Sequence, residues 1–312
     1  MVDYLPKTIL VPLDEDEAYT GCVEFVHALY PEKDRLTLIL HYIEPPLAPV
    51  YKGTPSSPAM REKKKNLLAE RREKTKAILD RARRRLVELG FSEELVQEHV
   101  QERELSVAHH ACRLADMKKV DAVVVPKKIT SKLEGFLKGN PTPDFLHHCL
   151  VSPIWFVEGR PSTERAVLAV GPENTSLRAV DHAGFMLAET KTLVDLVHVS
   201  SRVSGVISSG VETKSADYLR WESSSQNREA RTFMDESVRI LINAGFTPDR
   251  IRLVVHPGKN VADSLLDYCR VVKAGIVVLG HSKPGGTWGF LKSSITEKLI
   301  SSAMNLSVWV NQ

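Results

Sequence analysis

Short apolar runs alternate with longer amphipathic segments along the whole chain. Thr8-Ile9-Leu10-Val11 is apolar at consecutive positions and closes on Pro12, and Leu36 to Ile43 is apolar enough to be buried on both faces. Runs of that kind predict parallel strands. Between them, Asp14-Glu15-Asp16-Glu17 stands at a helix-start position, and Val23, Val26, His27 and Tyr30 recur at helical spacing. Pro45 to Pro58 holds five prolines and predicts a loop. Met60 to Leu89 predicts a long helix with Leu68, Ile78, Ala82, Leu86 and Leu89 on one side. Val96 to Glu104, Val107 to Met117 and Asp121 to Val125 then predict strand, helix and strand. Such alternation implies a parallel sheet with right-handed crossovers and helices on both faces.

The order is then repeated. Arg165 to Val170 predicts a strand, Ser176 to Ala188 a helix and Leu193 to Val199 a strand. Ser200 to Ser215 is a polar loop matching the proline-rich one, and Ser225 to Ala244 is a helix. Ile251 to Val255, Val261 to Val272 and Ile276 to Leu279 complete the copy. Gly135-Phe136-Leu137-Lys138-Gly139-Asn140 returns as Gly289-Phe290-Leu291-Lys292-Ser293-Ser294, roughly 155 residues later. That period is a whole domain, well beyond a solenoid unit of about 20 to 50 residues. The expected architecture is α/β, two tandem doubly wound open parallel-sheet domains of Rossmann-like type. Glu158 to Thr163 is a turn-rich hinge, which places the domains at residues 1–158 and 164–312.

Composition adds limits. The chain is 43% hydrophobic and 26% charged with a net charge of +3. No run approaches the roughly 18 apolar residues that span a bilayer. The strand pattern begins within the first ten residues, leaving no room for a signal peptide, so a cytoplasmic location is expected. Cys22, Cys112, Cys149 and Cys269 lie far apart without metal-ligand or redox spacing, and free thiols are the expectation.

With the strand order and both copies of the Gly-Phe-Leu-Lys motif in hand, each half resembles the universal stress protein family, and the chain resembles a tandem member of it. In that family the loop after strand 4 carries a glycine, two residues, a glycine, nine residues, a glycine and a Ser or Thr. Its backbone N–H groups and the following helix N-terminus suit phosphate. An Asp after strand 1 and backbone near the end of strand 2 hold adenosine. Carried onto the first half, these positions are Asp14, Tyr42 and the loop residues Pro126, Ile129, Gly139 and Asn140. A proline lacks the needed N–H, so phosphate binding is not expected there. In the second half they are Val199, Gly280, Lys283, Ser293 and Ser294, with Gly285 and Gly286 added and Pro172 where the Asp would stand. The resemblance implies weak binding of ATP or AMP in the second domain, with Lys283 a further phosphate contact. It also implies an internal pseudo-dimer in which the last strands, Val151 to Val157 and Leu306 to Val310, pair with each other. A stress-responsive sensing or interaction protein follows, with unidentified protein partners and room for further dimerisation. The alternatives are a ligand-free scaffold and a binder of another small or lipidic ligand in the same cleft.

Other clusters read more plainly. Arg61 to Arg85 carries twelve Lys/Arg against Glu62, Glu70, Glu73 and Asp80. Without interleaved aromatics it is expected to be a solvated helix face with no specific nucleic-acid binding, any association vanishing near physiological salt. His109-His110 near Cys112 and His147-His148 near Cys149 are poorly arranged for a tetrahedral metal, and the sequence requires none. His41 and His198 sit at matching points of strand 2 and are expected to make structural hydrogen bonds. No nucleophile elbow, Walker loop or metal triad is present, so no catalytic role is expected, although some family members turn nucleotide over slowly.

Overall fold

The two α/β domains are present as expected, their sheets joined into one by the pairing of their last strands. A computed structural model describes residues 4–54, 57–127, 142–281 and 289–312, with only the backbone path for 142 and 289–294. In the first half β1 (Lys7–Leu13), α1 (Thr20–Leu29), β2 (Leu36–Glu44), α2 (Pro49–Lys52) and α3 (Pro58–Glu88) lead to β3 (Val96–Glu102). There follow α4 (Val107–Lys118), β4 (Ala122–Pro126), α5 (Thr142–His148) and β5 (Ile154–Val157). The second half runs β6 (Arg165–Ala169), α6 (Asn174–Leu187), β7 (Leu193–Ser200), β8 (Ile207–Gly210), α7 (Ala216–Ser223) and α8 (Arg228–Asn243). It ends with β9 (Ile251–Pro257), α9 (Val261–Val272), β10 (Ile276–Gly280), α10 (Gly289–Ser302) and β11 (Ser307–Asn311). All eleven strands join one sheet in the order β3-β2-β1-β4-β5-β11-β10-β6-β7-β9-β8.

Period-two alternation sorts the side chains between two cores. Ile9, Val11 and Leu13 point to the face covered by α1, α3, α6 and α8, where Val26, Leu86, Val180 and Leu241 are buried. Leu10 points the other way, to the face covered by α4, α5, α9 and α10, where Leu114, Phe145, Leu265 and Leu299 lie. Pairing is parallel within each half except at β8, which runs antiparallel to β9 along one edge. This strand lies inside the segment Ser200 to Ser215 that polarity marks as loop. Its sequence Ile-Ser-Ser-Gly offers one large apolar residue, too little for a period to register.

The two halves meet where β5 and β11 pair antiparallel, Trp155 opposite Trp309, as the resemblance implies. The strands are shorter than the apolar runs, beginning at Ile154 and Ser307. The two indoles stack with centroids 3.8 Å apart and planes 2° from parallel. Phe25 meets Trp155 edge-on at 6.3 Å, and the Trp155 indole donates to His182 Nε2 at 3.2 Å. The Trp309 indole donates to Ser307 Oγ at 2.9 Å. Lys7 crosses the same boundary: only 2% exposed, its ammonium lies 2.5 Å from Glu189 and 4.7 Å from the centre of the Phe185 ring. Gly159, in the connection, has φ of +65°, and an added Cβ would stand 2.2 Å from Asn305 Oδ1. Only glycine suits that place.

Three further expectations change. The basic helix α3 is not simply solvated: Arg71 pairs with Glu44 and Glu102, Lys74 with Glu15, Arg81 with Glu17, Arg83 with Glu98 and Arg85 with Glu24. The acidic partners come from other elements and so were invisible to a count within the helix. Its buried side chains are Thr75, Ile78, Leu79, Ala82 and Leu86, with Leu68 only half-buried. The cysteines are not all free, because Cys112 and Cys149 form a disulfide, while Cys22 and Cys269 remain buried thiols. Separation of 37 residues in sequence hid a Cα–Cα distance of 4.8 Å.

Candidate functional site

Open α/β sheets gather ligands beyond the carboxyl ends of their strands. In the second half β6, β7 and β10 end around a cleft of about 210 Å³, closed by the first turn of α6 and by α9 and α10. Pro172, Ser176, His198, Val199, Gly280 and Thr296 are among its walls. Ser176 closes the turn from β6 into α6: its hydroxyl accepts from Gly171 N at 3.0 Å and donates to the Ala169 carbonyl at 3.1 Å. The positive end of the α6 dipole faces the cleft, where the carboxylate of Glu173, the N-cap of α6, also stands among the walls. Gly280 allows the strand end to approach that turn, since an added Cβ would stand 2.3 Å from the Thr175 carbonyl and 2.7 Å from Ser176 N. Its immediate reason is thus packing against α6.

His198 makes the structural hydrogen bond expected of it, Nδ1–H donating to the Val170 carbonyl at 3.1 Å. That bond fixes the tautomer and leaves Nε2 as an acceptor. Burial lowers its pKa, although the bond to Val170 works the other way. His41 differs: wholly buried on β2, it packs edge-on against His99 at 5.0 Å, and among the described residues neither nitrogen makes a well-formed hydrogen bond, with Gln101 the side chain near enough to favour its protonated form. Burial pushes its pKa down to about 3. Thr296 is buried beside His281, with Oγ1 3.1 Å from Nδ1.

The corresponding place in the first half is filled. Between Asp14, Tyr19, Val107, Pro126 and Phe145 only about 20 Å³ is left. Asp14 is buried, and its Oδ1 accepts from Ala18 N at 2.9 Å, holding the turn after β1. Burial raises its pKa against the opposing pull of that hydrogen bond. Tyr42 is buried on β2 and donates to Glu15 Oε1 at 3.3 Å. The structure therefore brings Val199, Pro172 and Gly280 together around one cleft and turns Asp14 to local structure, while Tyr42 lines a separate cleft of about 370 Å³ between Pro45–Tyr51 and α3. Lys283, Gly285, Gly286, Ile129, Gly139 and Asn140 lie outside the described residues, and Ser293 and Ser294 are described only as backbone of α10. Sequence reasoning missed Ser176 and Thr296, which the spacing of hydroxyls after β6 and within α10 alone does not single out.

The two histidine pairs, separate in sequence, converge: His109 and His148 bring their Nδ1 atoms to 3.4 Å beside the Cys112–Cys149 bond. Among the described residues no group of three or more His, Cys, Asp or Glu is arranged to hold a metal. No helix among them is long and apolar enough to cross a membrane.

A universal stress protein from Archaeoglobus fulgidus has a similar solved structure, 14% identical, covering 98% of both chains with a TM-score of 0.63. A functionally unknown protein from Pseudomonas aeruginosa PAO1 is 16% identical over 98% of this chain and 92% of that one, with a TM-score of 0.49. A universal stress protein solved in complex with cAMP is 21% identical over 48% of this chain and 97% of its own, with a TM-score of 0.37. No curated protein matches the sequence. The sequence profile of the universal stress protein family matches twice, at residues 6–157 and 163–310, and the chain belongs to that family, with two of its domains in tandem.

Proposed function

We propose that this tandem universal stress protein is a stress-responsive sensing or interaction protein that binds one adenine nucleotide per chain, weakly, in the domain spanning 164–312. The domain spanning 1–158 acts as its structural partner. The observation that carries this reading is the asymmetry at the matching position of the two halves, beyond the ends of β6 and β10 and of β1 and β4, about 210 Å³ against about 20 Å³. The larger cleft is below the roughly 300–1,000 Å³ usual for small-molecule sites, so it suits a nucleoside, with phosphates continuing toward Gly280 and the loop beyond. Apolar Val197, Val199 and Leu279 offer flat contact, His198 Nε2 and the Glu173 carboxylate offer acceptors, and the α6 dipole favours the anionic end against the opposing charge of Glu173. Pro172 supplies no carboxylate, and the loss of a hydrogen bond to a charged group costs about 1.5–3 kcal/mol, roughly ten- to a hundredfold in affinity. Weak binding follows. The reading is of binding rather than turnover.

Calorimetry with ATP and AMP tests it. One site per chain is expected, lost on filling the cleft with Val199→Trp and on Gly286→Val, and kept in Gly139→Val. Loss through Gly139→Val would mean the pocket is in the other domain. No heat from the unmodified protein at millimolar nucleotide would leave the ligand-free scaffold as the better reading.

A further inference from the structure

The bond between Cys112 and Cys149 ties α4 to the end of a short element, α5. Cys112 lies on α4 and Cys149 directly after α5, and both are buried, 1% and 0% exposed. At seven residues α5 is too short to hold its own helical form, so its seat depends on tertiary attachments. Among the described residues those are the disulfide, the His109–His148 contact, the burial of Phe145 and Leu146 chiefly against α4, and smaller contacts with α10 and β5. Phe145 together with Val107, the first residue of α4, also closes what remains of the first-domain cleft. In the repeat register that lays Gly135 on Gly289, Leu266 and Ala303 stand where the two cysteines do, and that half has the open cleft. The crosslink and the filled cleft occur in the same domain.

We propose that Cys112–Cys149 is a reversible thiol–disulfide site, with dithiol reductants and low-molecular-weight disulfides as its redox partners, and that its bond state decides whether α5 stays seated on α4. In reduction, one thiolate of the dithiol attacks a cysteine sulfur. The S–S bond breaks, and the other cysteine leaves as a thiolate that takes a proton. The second thiolate of the reductant attacks the resulting mixed disulfide, freeing the remaining cysteine thiol and forming a cyclic disulfide, so two electrons pass to the protein. Glutathione disulfide reverses this, restoring the bond and leaving as two thiols. Because both sulfurs are buried, exchange waits on outward movement of α5, and local opening sets its rate. Cys22 and Cys269 do not compete, since burial pushes both thiols well above their ordinary pKa and keeps them from forming the attacking thiolate.

Alkylation after denaturation, read by intact mass, and hydrogen exchange test the proposal on the full chain. Protein isolated without reductant is expected to take two alkyl groups, and four after dithiothreitol. Reduction should speed amide exchange in residues 142–148 by about tenfold or more while leaving 228–243 of α8, on the opposite face of the sheet, unchanged. A Cys112→Ala/Cys149→Ala variant should match the reduced protein, and glutathione disulfide should restore slow exchange only in the unmodified chain. Four free thiols that glutathione disulfide cannot close would overturn the site. Exchange in α5 that ignores reduction would overturn the switch and leave a fixed staple.

Discussion

Single side chains here are held neutral by burial, and histidine shows the consequence. Burial lowers the pKa of His41, His182, His198 and His281, to about 3 for the first two. In the unfolded chain each titrates near 6.5. The unfolded state therefore binds more protons between those values, and stability is full above about pH 6.5 and falls as pH drops toward 3. His182 adds a geometric reason, because its Nε2 accepts from the Trp155 indole at 3.2 Å and a protonated ring has no lone pair to offer. His182→Gln, whose amide oxygen also accepts, should keep most stability at pH 7. It should also flatten the loss between pH 6 and 4 by up to about 1.4 kcal/mol per pH unit. Urea unfolding across that range measures it, and an unchanged slope would count against the role given to His182. At this scale the sequence was least legible. Nothing near His182 in the chain names Trp155, just as nothing near Cys112 names Cys149.

Elements were legible wherever a period ran long enough to be counted. The buried strands β1, β2, β6 and β10 announce themselves as largely apolar runs, β7 as one interrupted by the buried Asp195, and the repeat of Gly135 to Asn140 at Gly289 to Ser294 showed the duplication. The edge strand β8 did not, with one large apolar residue among Ser, Ser and Gly. The long helix α3 was correctly placed, yet its apolar stripe overstated its anchorage, since the sheet covers only its C-terminal half. Leu86, wholly buried, and Leu68, half-buried, separate the two cases. Leu86→Ala should cost about 2–5 kcal/mol and Leu68→Ala less than about 1 kcal/mol, compared by denaturant midpoints. Equal losses would mean that the N-terminal half of α3 is packed as tightly as the rest. The candidate cleft was half legible: the loop pattern pointed to the second domain, while Ser176, His198 and Thr296 come together only once the strands are laid side by side.

At the scale of the molecule, the seam between β5 and β11 makes one sheet of two domains. Trp309 is fully buried and stacked on Trp155, so Trp309→Ala is expected to cost about 3–5 kcal/mol and to loosen both halves at once. Unfolding followed by tryptophan fluorescence and by far-ultraviolet circular dichroism should then cease to coincide, if the halves melt separately once the seam is weakened. Coincident curves in the variant would show the remaining boundary contacts, Lys7 with Glu189 among them, to be enough. The seam also fixes how the protein responds to its own abundance. A pair formed by two separate chains dissolves on dilution, whereas here the connection through Gly159 holds the partners at an effective concentration that does not depend on how much protein is present. A cell that raises or lowers the level of this chain changes the number of assembled units and leaves the fraction assembled untouched.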